Sequence, residues 1–376
     1  MRTIDISAAV HARAGLGRYA EQLAHALITT QPEAYALFFN RGKDGRFPPS
    51  LAPFNRPQRH VSWGYKPWRM AVLLANVGHI PFNRLVPDAT LFHSTEHLLM
   101  PLHGVPTVLT VHDLIFKLFP AYHKKLNYWY LNLAMPIYCR KADAIITISQ
   151  ASKQDIVEHY RIDPTKIHVV YEAPSSLFQP VSPARVTHIR QTYQLPKRYL
   201  IHLSTIEPRK NLSRLLDALK ALRLTFPSLS LVLAGGKGWL TNDFFAKIEA
   251  EGLADAVQVL GWVPDEDLPA ILAGAELAVH PSLYEGFGLP VLEHMACGQV
   301  VASSNRSSLP EVGGEAAVYF DPTNTEEMTA VIRRLLTDRD EYRYRQQLGL
   351  QQVSKFSWER AAAETTAVYE KVLSNY

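Results

Sequence analysis

Short apolar runs rich in β-branched residues alternate with longer amphipathic stretches along the whole chain. This rhythm is typical of a parallel sheet covered by helices, because a helix has to return the chain between two parallel strands. The predicted strands are 3–7, 107–112, 144–149, 199–203, 229–234, 257–260, 277–280 and 300–302. The predicted helices include 19–29 and 152–159. The pattern therefore predicts the α/β fold class.

The alternation is interrupted once, by the segment EAPSSLFQPVSPA at 172–184. Its prolines and serines fit neither a helix nor a strand and are typical of a linker between domains. The length of 376 residues also exceeds what one small module needs. We therefore predict two α/β units, residues 1–173 and 174–356, and a final helix at 357–376 that returns to pack on the first unit.

Charge is distributed unevenly between the two halves. Residues 1–172 hold 19 Lys and Arg against 12 Asp and Glu, and the remainder holds 20 against 23. A basic half can face phosphates, an anionic membrane or nucleic acid, although an ordinary solvated surface also fits. Because no cluster of Lys and Arg is denser than two adjacent residues, we expect no nucleic-acid partner.

No run of 18 apolar residues is present, which excludes a membrane-spanning helix. The start of the sequence has no apolar block before a small-residue cleavage site. The two cysteines are too few for a disulfide framework. These features predict a cytoplasmic protein.

The most informative segment is HPSLYEGFGLPVLEHMACG at 280–298, which follows a predicted strand with a glycine loop and then a helix. Gly286 and Gly288 let the backbone approach a ligand, and the N–H groups at the helix start favour a phosphate. Glu285 and Glu293 could place two carboxylates at the hydroxyls of one ligand. Taken singly, Glu293 could also complement the helix dipole, and Glu285 could be an ordinary loop residue.

A second cluster, STIEPRKNL at 204–212, directly follows the strand 199–203. Arg209 and Lys210 stand where open α/β sheets bind ligands, and together they can neutralise a diphosphate. The alternative is the start of a surface helix capped by Asn211. The loop LAGGKGW at 233–239 adds backbone donors around Gly235.

The first half carries two further candidates. Gly15 and Gly17 lie in GLGRYAEQL, a glycine-rich helix entrance that lacks the third glycine of a dinucleotide fingerprint. His112 and Asp113 end the strand 107–112 at a carboxyl edge, where both a structural and a functional role are open. The patterns at 265–267 and 338–340 match a carboxylate-x-carboxylate metal signature, but each precedes a helix, so we interpret both as caps. No metal is predicted.

Assembled, these motifs resemble the retaining glycosyltransferase family 4, from the glycine loop at 15–17 to FSWERAA at 356–362. The most specific parts are EGFGLPVLE at 285–293 and EPRKN at 207–211, with VHDLIF at 111–116 and ITISQASKQDI at 146–156 in support. The resemblance implies the GT-B fold, in which two Rossmann-like domains with parallel sheets face each other across a cleft. It also implies that residues 1–173 form the acceptor side and 174–356 the donor side.

The resemblance also implies roles for individual residues. Glu285 contacts the donor sugar and Glu293 the ribose, while Arg209 and Lys210 bind the diphosphate. The loop amides of Phe287, Gly288 and Leu289 assist, Gly15 and Gly17 border the donor phosphate and the acceptor, and His112 lies beside the transferred sugar. From the glycine loops themselves we add Gly235 and Gly286 to the donor-binding positions. Two departures are noted: Ser204 stands where some members carry another arginine, and VVYEAP at 169–174 replaces an asparagine-glycine turn.

The implied reaction is transfer of a sugar from a nucleotide donor to a glycan or lipid-linked acceptor, with retention of configuration and without a metal or other cofactor. The sequences of these motifs are most similar to those of bacterial mannosyl- and rhamnosyltransferases of polysaccharide assembly, so the expected donor is GDP-mannose. An epimerase or a glycosyl phosphorylase could share the scaffold, as could a non-catalytic sugar-binding protein. A dehydrogenase would need a complete glycine fingerprint.

The segment IFKLFPAYHKKLNYWYL at 115–131 mixes lysines with large aromatic residues. Interfacial helices combine these residue types, so we predict peripheral contact with an anionic membrane at the inner face of the plasma membrane. The alternative is an ordinary amphipathic helix packed on the sheet.

Overall fold

The computed structural model describes residues 1–376, apart from the side chain of Ala14. The chain divides into two compact units. The first comprises Met1–Glu172 together with Ser357–Tyr376, and the second is Ala173–Phe356. The division falls one residue before the boundary predicted from the linker composition.

Seven strands belong to the first unit: β1 (Arg2–Asp5), β2 (Tyr35–Asn40), β3 (Gln58–Val61), β4 (Leu91–Ser94), β5 (Thr107–Val111), β6 (Ala144–Thr147) and β7 (Ile167–Val169). Six belong to the second: β8 (Arg198–Leu203), β9 (Leu229–Ala234), β10 (Val257–Gly261), β11 (Leu277–His280), β12 (Val301–Ser304) and β13 (Val318–Phe320).

The helices of the first unit before the linker are α1 (Ser7–Val10), α2 (Ala14–Thr30), α3 (Tyr65–Val77), α4 (Ile115–Leu118), α5 (Lys125–Lys141) and α6 (Gln150–Tyr160). The second unit carries α7 (Pro183–Thr192), α8 (Leu212–Arg223), α9 (Asn242–Ala250), α10 (Leu268–Ala273), α11 (Leu289–Ala296), α12 (Leu309–Gly313), α13 (Thr325–Thr337) and α14 (Arg339–Val353). The last helix, α15 (Trp358–Ser374), belongs to the first unit.

Each unit is built on one parallel sheet. The strand order is β3-β2-β1-β4-β5-β6-β7 in the first unit and β10-β9-β8-β11-β12-β13 in the second. The inner strands β5 and β9 are buried along their whole length, as expected of parallel strands covered by helices on both faces. The predicted fold class, two Rossmann-like α/β units with parallel sheets, is therefore confirmed.

The helix α15 packs against α2 in the first unit. Its buried face includes Ala361, Thr365 and Tyr369, which recur at helical spacing. The hydroxyl of Tyr369 lies 2.6 Å from Nδ1 of His93 on β4, so the helix is joined to the sheet by a buried hydrogen bond as well as by apolar packing. The end of the chain thus completes the unit with which the chain begins.

Candidate functional site

The predicted site segments of the second unit follow three neighbouring strands. The loop at 204–211 follows β8, the loop at 235–241 follows β9, and the loop at 281–288 follows β11. Because β9, β8 and β11 are adjacent and parallel, their carboxyl ends meet at one edge of the sheet. The structure therefore brings Arg209, Lys210, Gly235 and Glu285 to the same edge.

Three of these residues form a buried ion-pair cluster. Glu285 accepts from Nη1 of Arg209 at 2.9 Å and from Nζ of Lys210 at 2.7 Å. Arg209 also pairs with Glu207, a carboxylate that the sequence interpretation had not singled out. Ser282 donates to the same Glu285 oxygen as Lys210, at 2.6 Å. Two acidic and two basic side chains thus compensate one another without a ligand.

The cluster fixes the charge of its members. Burial on its own would raise the pKa of Glu285, but the charges of Arg209 and Lys210 outweigh it and hold this pKa far below its usual range. Burial lowers the pKa of Lys210, and the charge of Glu285 opposes that effect. Glu285 is therefore ionised throughout the neutral range and orients the two cations beside it.

The loop that carries Glu285 is held from α12 and the turn before it. The backbone N–H of Glu285 donates to Oγ of Ser307 at 2.8 Å, and Oγ of Ser308 donates to the carbonyl of Phe287 at 2.7 Å. Gly288 has a φ of +104°, and a Cβ there would lie 2.7 Å from Cδ2 of Leu309. The positive φ thus favours glycine, Leu309 would have to move for a larger residue, and the serine pair is a support that the sequence reasoning missed.

Gly235 also has a structural reason to be glycine. Its φ is +132°, and a Cβ would lie 2.1 Å from the carbonyl oxygen of Ser204, on the loop after β8. Two loops that both reach the carboxyl edge therefore touch backbone to backbone at this position. The neighbouring Gly236 would meet nothing within 4 Å, so the close approach is specific to Gly235.

Glu293 lies in α11, which begins at Leu289 with Pro290 in its first turn, as the sequence predicts. Its side chain belongs to the buried face of that helix. The structure places it one turn beyond the loop that ends at Gly288.

Three buried histidines stand at the ends of β8 and β11 and on α11. The ring of His280 lies 5.2 Å from that of His202 and 5.1 Å from that of His294. Burial lowers the pKa of His202 to about 4 and that of His294 to about 3, so both are neutral at pH 7. His202 lies 2.7 Å through Nε2 from Oγ of Ser204, the position at which some family members carry arginine. No sequence spacing pointed to this cluster.

In the first unit, His112 lies at the carboxyl end of β5 and is buried. Its Nε2 is 2.9 Å from the carbonyl oxygen of Thr95, and its Nδ1 is 3.7 Å from Oε1 of Glu172. The ring of Tyr19, on α2, contacts it edge to face at 4.7 Å. His97 accepts a hydrogen bond from the backbone N–H of His112 at 3.1 Å. Thr95, His97 and Glu172 had not been recognised as neighbours of His112.

A second polar group lies at the ends of β1 and β4. Arg13 donates to Glu96 at 2.6 Å and stacks over the ring of Tyr65 at 3.8 Å. Asp5 accepts from the backbone N–H of Ser7 at 2.8 Å. Burial and the charge of Glu96 raise the pKa of Asp5 to about 7. These residues were also missed, because no motif connects positions 5, 13 and 96.

Gly15 and Gly17 lie within the first turns of α2, which begins at Ala14. A Cβ at Gly17 would lie 2.9 Å from the carbonyl oxygen of Ala8, so this glycine lets α2 approach α1 closely. A Cβ at Gly15 would meet nothing within 4 Å. Of the two, Gly15 therefore has the less evident packing reason.

The predicted site residues thus fall into two sets. One, around Glu285, belongs to the second unit, and the other, around His112, belongs to the first.

The two carboxylate-x-carboxylate patterns differ in role. Asp338 caps α14 by accepting from the backbone N–H groups of Asp340 and Glu341, as predicted. Asp267 stands at the start of α10 but makes no capping hydrogen bond, so that part of the interpretation is wrong. It pairs instead with Arg185 and accepts from the hydroxyl of Tyr193. In the part of the chain that the structure describes, no group of three or more metal-ligating side chains converges.

Comparison with known families divides the chain in the same way as its fold. Residues 13–173 match the family described as Glycosyltransferase Family 4, and residues 187–351 match the family described as Glycosyl transferases group 1. Together the two matches include every predicted site residue.

Similar proteins were found both in sequence and in structure. The chain is 36% identical over 268 residues to O-antigen chain mannosyltransferase B of Escherichia coli, and the aligned region covers 70% of each chain. It is 34% identical over 286 residues to MMP alpha-(1->4)-mannosyltransferase of Mycolicibacterium hassiacum, covering 72% of this chain and 66% of that one. In structure it is similar to sucrose-phosphate synthase from Thermosynechococcus elongatus, with a TM-score of 0.77, 18% identity and full coverage of both chains.

Proposed function

The chain belongs to glycosyltransferase family 4, and on that premise we propose that it transfers mannose from GDP-mannose to a glycan or lipid-linked acceptor. The family makes it a retaining hexosyltransferase. The choice of mannose rests on relatives above 30% identity that are named as mannosyltransferases. The assignment of the donor site rests on the buried cluster of Arg209, Lys210 and Glu285 at the carboxyl edge of the second sheet.

The cationic pair suits a nucleoside diphosphate. The guanidinium of Arg209 brings a delocalised positive charge that favours phosphate oxygens, and Lys210 adds a point charge. The helix α11 begins directly after the loop, so its first N–H groups and its dipole favour the same anion. We assign the backbone of Gly286, Phe287, Gly288 and Leu289 to this contact, with Gly15, Gly17 and Gly235 as further donor-site positions.

Glu285 is assigned to the donor sugar. A carboxylate offers about four acceptor positions, and Arg209, Lys210 and Ser282 each occupy one. The fourth position would accept a sugar hydroxyl from a carboxylate that is already oriented. We assign Glu293, one turn into α11, to the ribose, and His112 of the first unit to the transferred sugar.

The reaction we propose is a displacement on one face of the sugar. The bond between the anomeric carbon and the diphosphate oxygen breaks, and a bond to the acceptor oxygen forms on the same face. The proton of the acceptor hydroxyl passes to a diphosphate oxygen. Arg209 and Lys210 stabilise the negative charge on the leaving group, which is where a preorganised site lowers a barrier most.

A nucleotide-release assay tests the donor and the reaction together. The protein is incubated with GDP-mannose, UDP-glucose or dTDP-rhamnose, with and without a mannose-terminated lipid-linked glycan. We expect release of GDP from GDP-mannose only when the acceptor is present, and an α-linked product. Faster turnover of another donor would contradict the choice of mannose. Epimerised donor without acceptor, or sugar phosphate formed from inorganic phosphate, would support the two alternative activities instead.

We also propose that the transfer needs no metal. Asp338 is engaged in a helix cap and Asp267 in an ion pair, so neither pattern offers a spare pair of carboxylates. The charge of the diphosphate is assigned to Arg209 and Lys210. Transfer should therefore continue in excess chelator, and a strong loss that magnesium or manganese restores would overturn this proposal.

Contact with an anionic membrane remains part of the proposal, with a changed surface. Phe116 of the predicted segment lies in the core of the first unit. The exposed apolar residues are instead Leu126, Trp129 and Leu133 on α5. Exposed apolar residues also recur at helical spacing on α3, at Met70, Leu74 and Val77.

The two helices touch, because Arg69 on α3 donates to Asn127 on α5 at 2.8 Å and the hydroxyl of Tyr130 on α5 donates to the Arg69 carbonyl at 3.0 Å. Lys66, Lys124 and Lys125 are exposed at the same ends of the helices. Apolar side chains beside cations fit an interface with acidic lipids, each cation adding about 1 kcal/mol. The anionic inner leaflet of the plasma membrane is therefore the surface we propose. Among the described residues, no helix is long and apolar enough to cross a membrane.

Sedimentation with liposomes tests this face. We expect binding to phosphatidylglycerol vesicles at low salt and a clear reduction in Trp129→Ala. Trp262→Ala is the matched control, because Trp262 is at least as exposed but lies in the second unit, at 77% against 69%. Equal binding to neutral and anionic vesicles, or equal losses in the two variants, would refute the assignment.

A further inference from the structure

The two ring nitrogens of His112 both face groups that only accept hydrogen bonds. Nε2 lies 2.9 Å from the carbonyl oxygen of Thr95, and Nδ1 lies 3.7 Å from Oε1 of Glu172. A carbonyl has no proton to give, and neither has an ionised carboxylate. A neutral imidazole carries a hydrogen on only one nitrogen, so it would leave one of these contacts repulsive. The donor and acceptor count is satisfied when both nitrogens are protonated.

We propose that Glu172 is a positioning residue that holds His112 as an imidazolium cation in the enzyme. The inference rests on the proposed function in one respect, namely that His112 faces the transferred sugar. A positive charge there would stabilise the negative charge that develops as the diphosphate leaves. A neutral imidazole in the same place would not.

The burial of Glu172 supports a dedicated partnership. Its exposed fraction is 7% and that of His112 is 4%, so neither charge is compensated by water. A buried carboxylate without a partner is strongly unfavourable, and His112 is the cationic group that the structure places against it. Glu172 follows β7 and is the last residue of the first unit before the chain enters the second.

None of the other groups described around His112 opposes its positive charge. Asp113, the next residue, adds a second negative charge that favours the cation. His93 on β4 and His97 in the loop after it face His112, and burial lowers the pKa of both, so they are neutral at pH 7. The ring of Tyr19 stands nearly perpendicular to that of His112, and burial raises the pKa of its hydroxyl, so it stays neutral.

Burial also acts on His112 and by itself lowers its pKa. The nearby carboxylate of Glu172, together with the Thr95 carbonyl, outweighs the burial, and the pKa of His112 is raised above its ordinary value. The electrostatic balance therefore points in the same direction as the count of donors and acceptors.

A titration of the free protein tests the inference without any donor or acceptor. The ring nitrogens are labelled with ¹⁵N and followed by NMR, with His112→Gln to assign the signal. In the wild type we expect both His112 nitrogens to show imidazolium shifts at pH 7. In Glu172→Gln, which keeps the shape and removes the charge, we expect the midpoint to fall by at least one pH unit. A wild-type midpoint at or below 6.5, or an unchanged midpoint in the variant, would overturn the proposal.

The pH profile of turnover then tests the consequence. With Glu172→Gln we expect kcat at pH 8 to fall about tenfold and to recover as the pH is lowered, because acid restores the cation. The donor KM should change little. Glu158→Gln is the control, since it removes an exposed carboxylate from α6. A loss that is equal at every pH would indicate a purely structural role and contradict the inference.

The two levels of the proposal fail separately. If His112→Ala keeps wild-type turnover, the assignment of His112 to the reaction is wrong, whereas the NMR titration still decides the role of Glu172. If Glu172→Gln does not fold, the titration of the wild type alone remains a decisive test.

Discussion

The carboxyl edges of the two sheets balance their charges in different ways. In the second unit, Arg209 and Lys210 are matched by Glu207 and Glu285 at short range. Arg209 and Lys210 hold the pKa of Glu285 far below its usual range, so this carboxylate keeps its charge at neutral pH. In the first unit, Glu96 pairs with Arg13, but Glu172 faces a histidine and Asp5 accepts only from Ser7. There the balance depends on groups that titrate.

The difference separates two tasks. A cluster with fixed charges can be prepared in advance for a ligand whose charge never changes, such as a diphosphate. The charges of Asp5 and His112 respond to pH. Burial raises the pKa of Asp5 to about 7, and Glu172 helps to raise the pKa of His112. We therefore expect the pH dependence of this enzyme to originate in the first unit.

The largest effect on turnover is expected when a charged side chain of the cluster in the second unit is removed. Arg209→Ala, Lys210→Ala and Glu285→Ala should each lower turnover, and about 10²- to 10³-fold is the scale for a lost donor to a developing negative charge. Glu293→Ala should instead raise the donor KM, because a ribose contact is similar in the ground and transition states. The measurement is steady-state kinetics with the best donor.

Stability has to be followed in the same variants. Removing Arg209 leaves Glu207 buried without its cationic partner and leaves Glu285 paired with Lys210 alone, and breaking a buried ion pair typically costs about 3–5 kcal/mol. Kinetics should therefore be measured well below each melting temperature. If Arg209→Ala and Glu285→Ala are folded and keep wild-type turnover, the donor site is wrongly assigned.

The next effect concerns the packing of the loops that carry the fixed charges. Gly235→Ala should destabilise the second unit by at least about 2 kcal/mol, because the new Cβ would meet the Ser204 backbone and the φ of +132° is unfavourable. Gly236→Ala is the control and should stay within about 0.5 kcal/mol of the wild type. Urea unfolding measures both. Equal stability of the two variants would show that the loops do not pack as described.

The titrating balance of the first unit gives a pH-dependent effect. Asp5 is protonated more readily in the folded chain, so wild-type stability is lost as the pH rises from about 4, the unfolded pKa, to about 7. Asp5→Asn removes this titration. The variant should therefore gain on the wild type by about 1.4 kcal/mol per pH unit within that window.

Unfolding at pH 5, 6, 7 and 8 provides the measurement, and the histidines cancel because they are common to both proteins. We expect the difference between Asp5→Asn and the wild type to level off above pH 7. A difference that does not depend on pH would show that Asp5 does not have a raised pKa in the folded protein.

The smallest expected effect separates the two glycines of α2. Gly15→Ala meets no atom within 4 Å and should stabilise the helix by up to about 1 kcal/mol, whereas Gly17→Ala meets the Ala8 carbonyl and should destabilise it. If Gly15 also borders the donor, as proposed, Gly15→Ala should raise the donor KM despite its greater stability. An unchanged KM would remove Gly15 from the donor site.

The sequence by itself determined the features that depend on local pattern. The alternation of apolar runs and amphipathic stretches predicted two α/β units, and the strands β9 and β11 were predicted to the residue. The strand, loop and helix order around Glu285 was also predictable, because glycine and proline mark a turn and a helix start. These features are short-range, so neighbouring residues suffice to specify them.

Other elements were missed for identifiable reasons. The strand β2 is buried on both faces and has no alternation, β3 is an edge strand with three exposed residues, and β7 has only three residues. The helix α2 begins five residues before the predicted start, at Ala14, because contact with α1 outweighs the poor helix propensity of Gly15 and Gly17. Local propensity cannot register such tertiary packing.

Only the tertiary structure decided which charges meet. Arg209 and Glu285 are 76 residues apart, and they pair because β8 and β11 are neighbours in a parallel sheet. His112 meets Glu172 because the loops after β5 and β7 reach the same edge of the first sheet. Sequence identifies residue types that are able to do chemistry, but strand order sets their partners, and the partners set their charge. For this protein the motifs can be recognised in the sequence, but the protonation states of the site follow only from the partners that the strand order brings together.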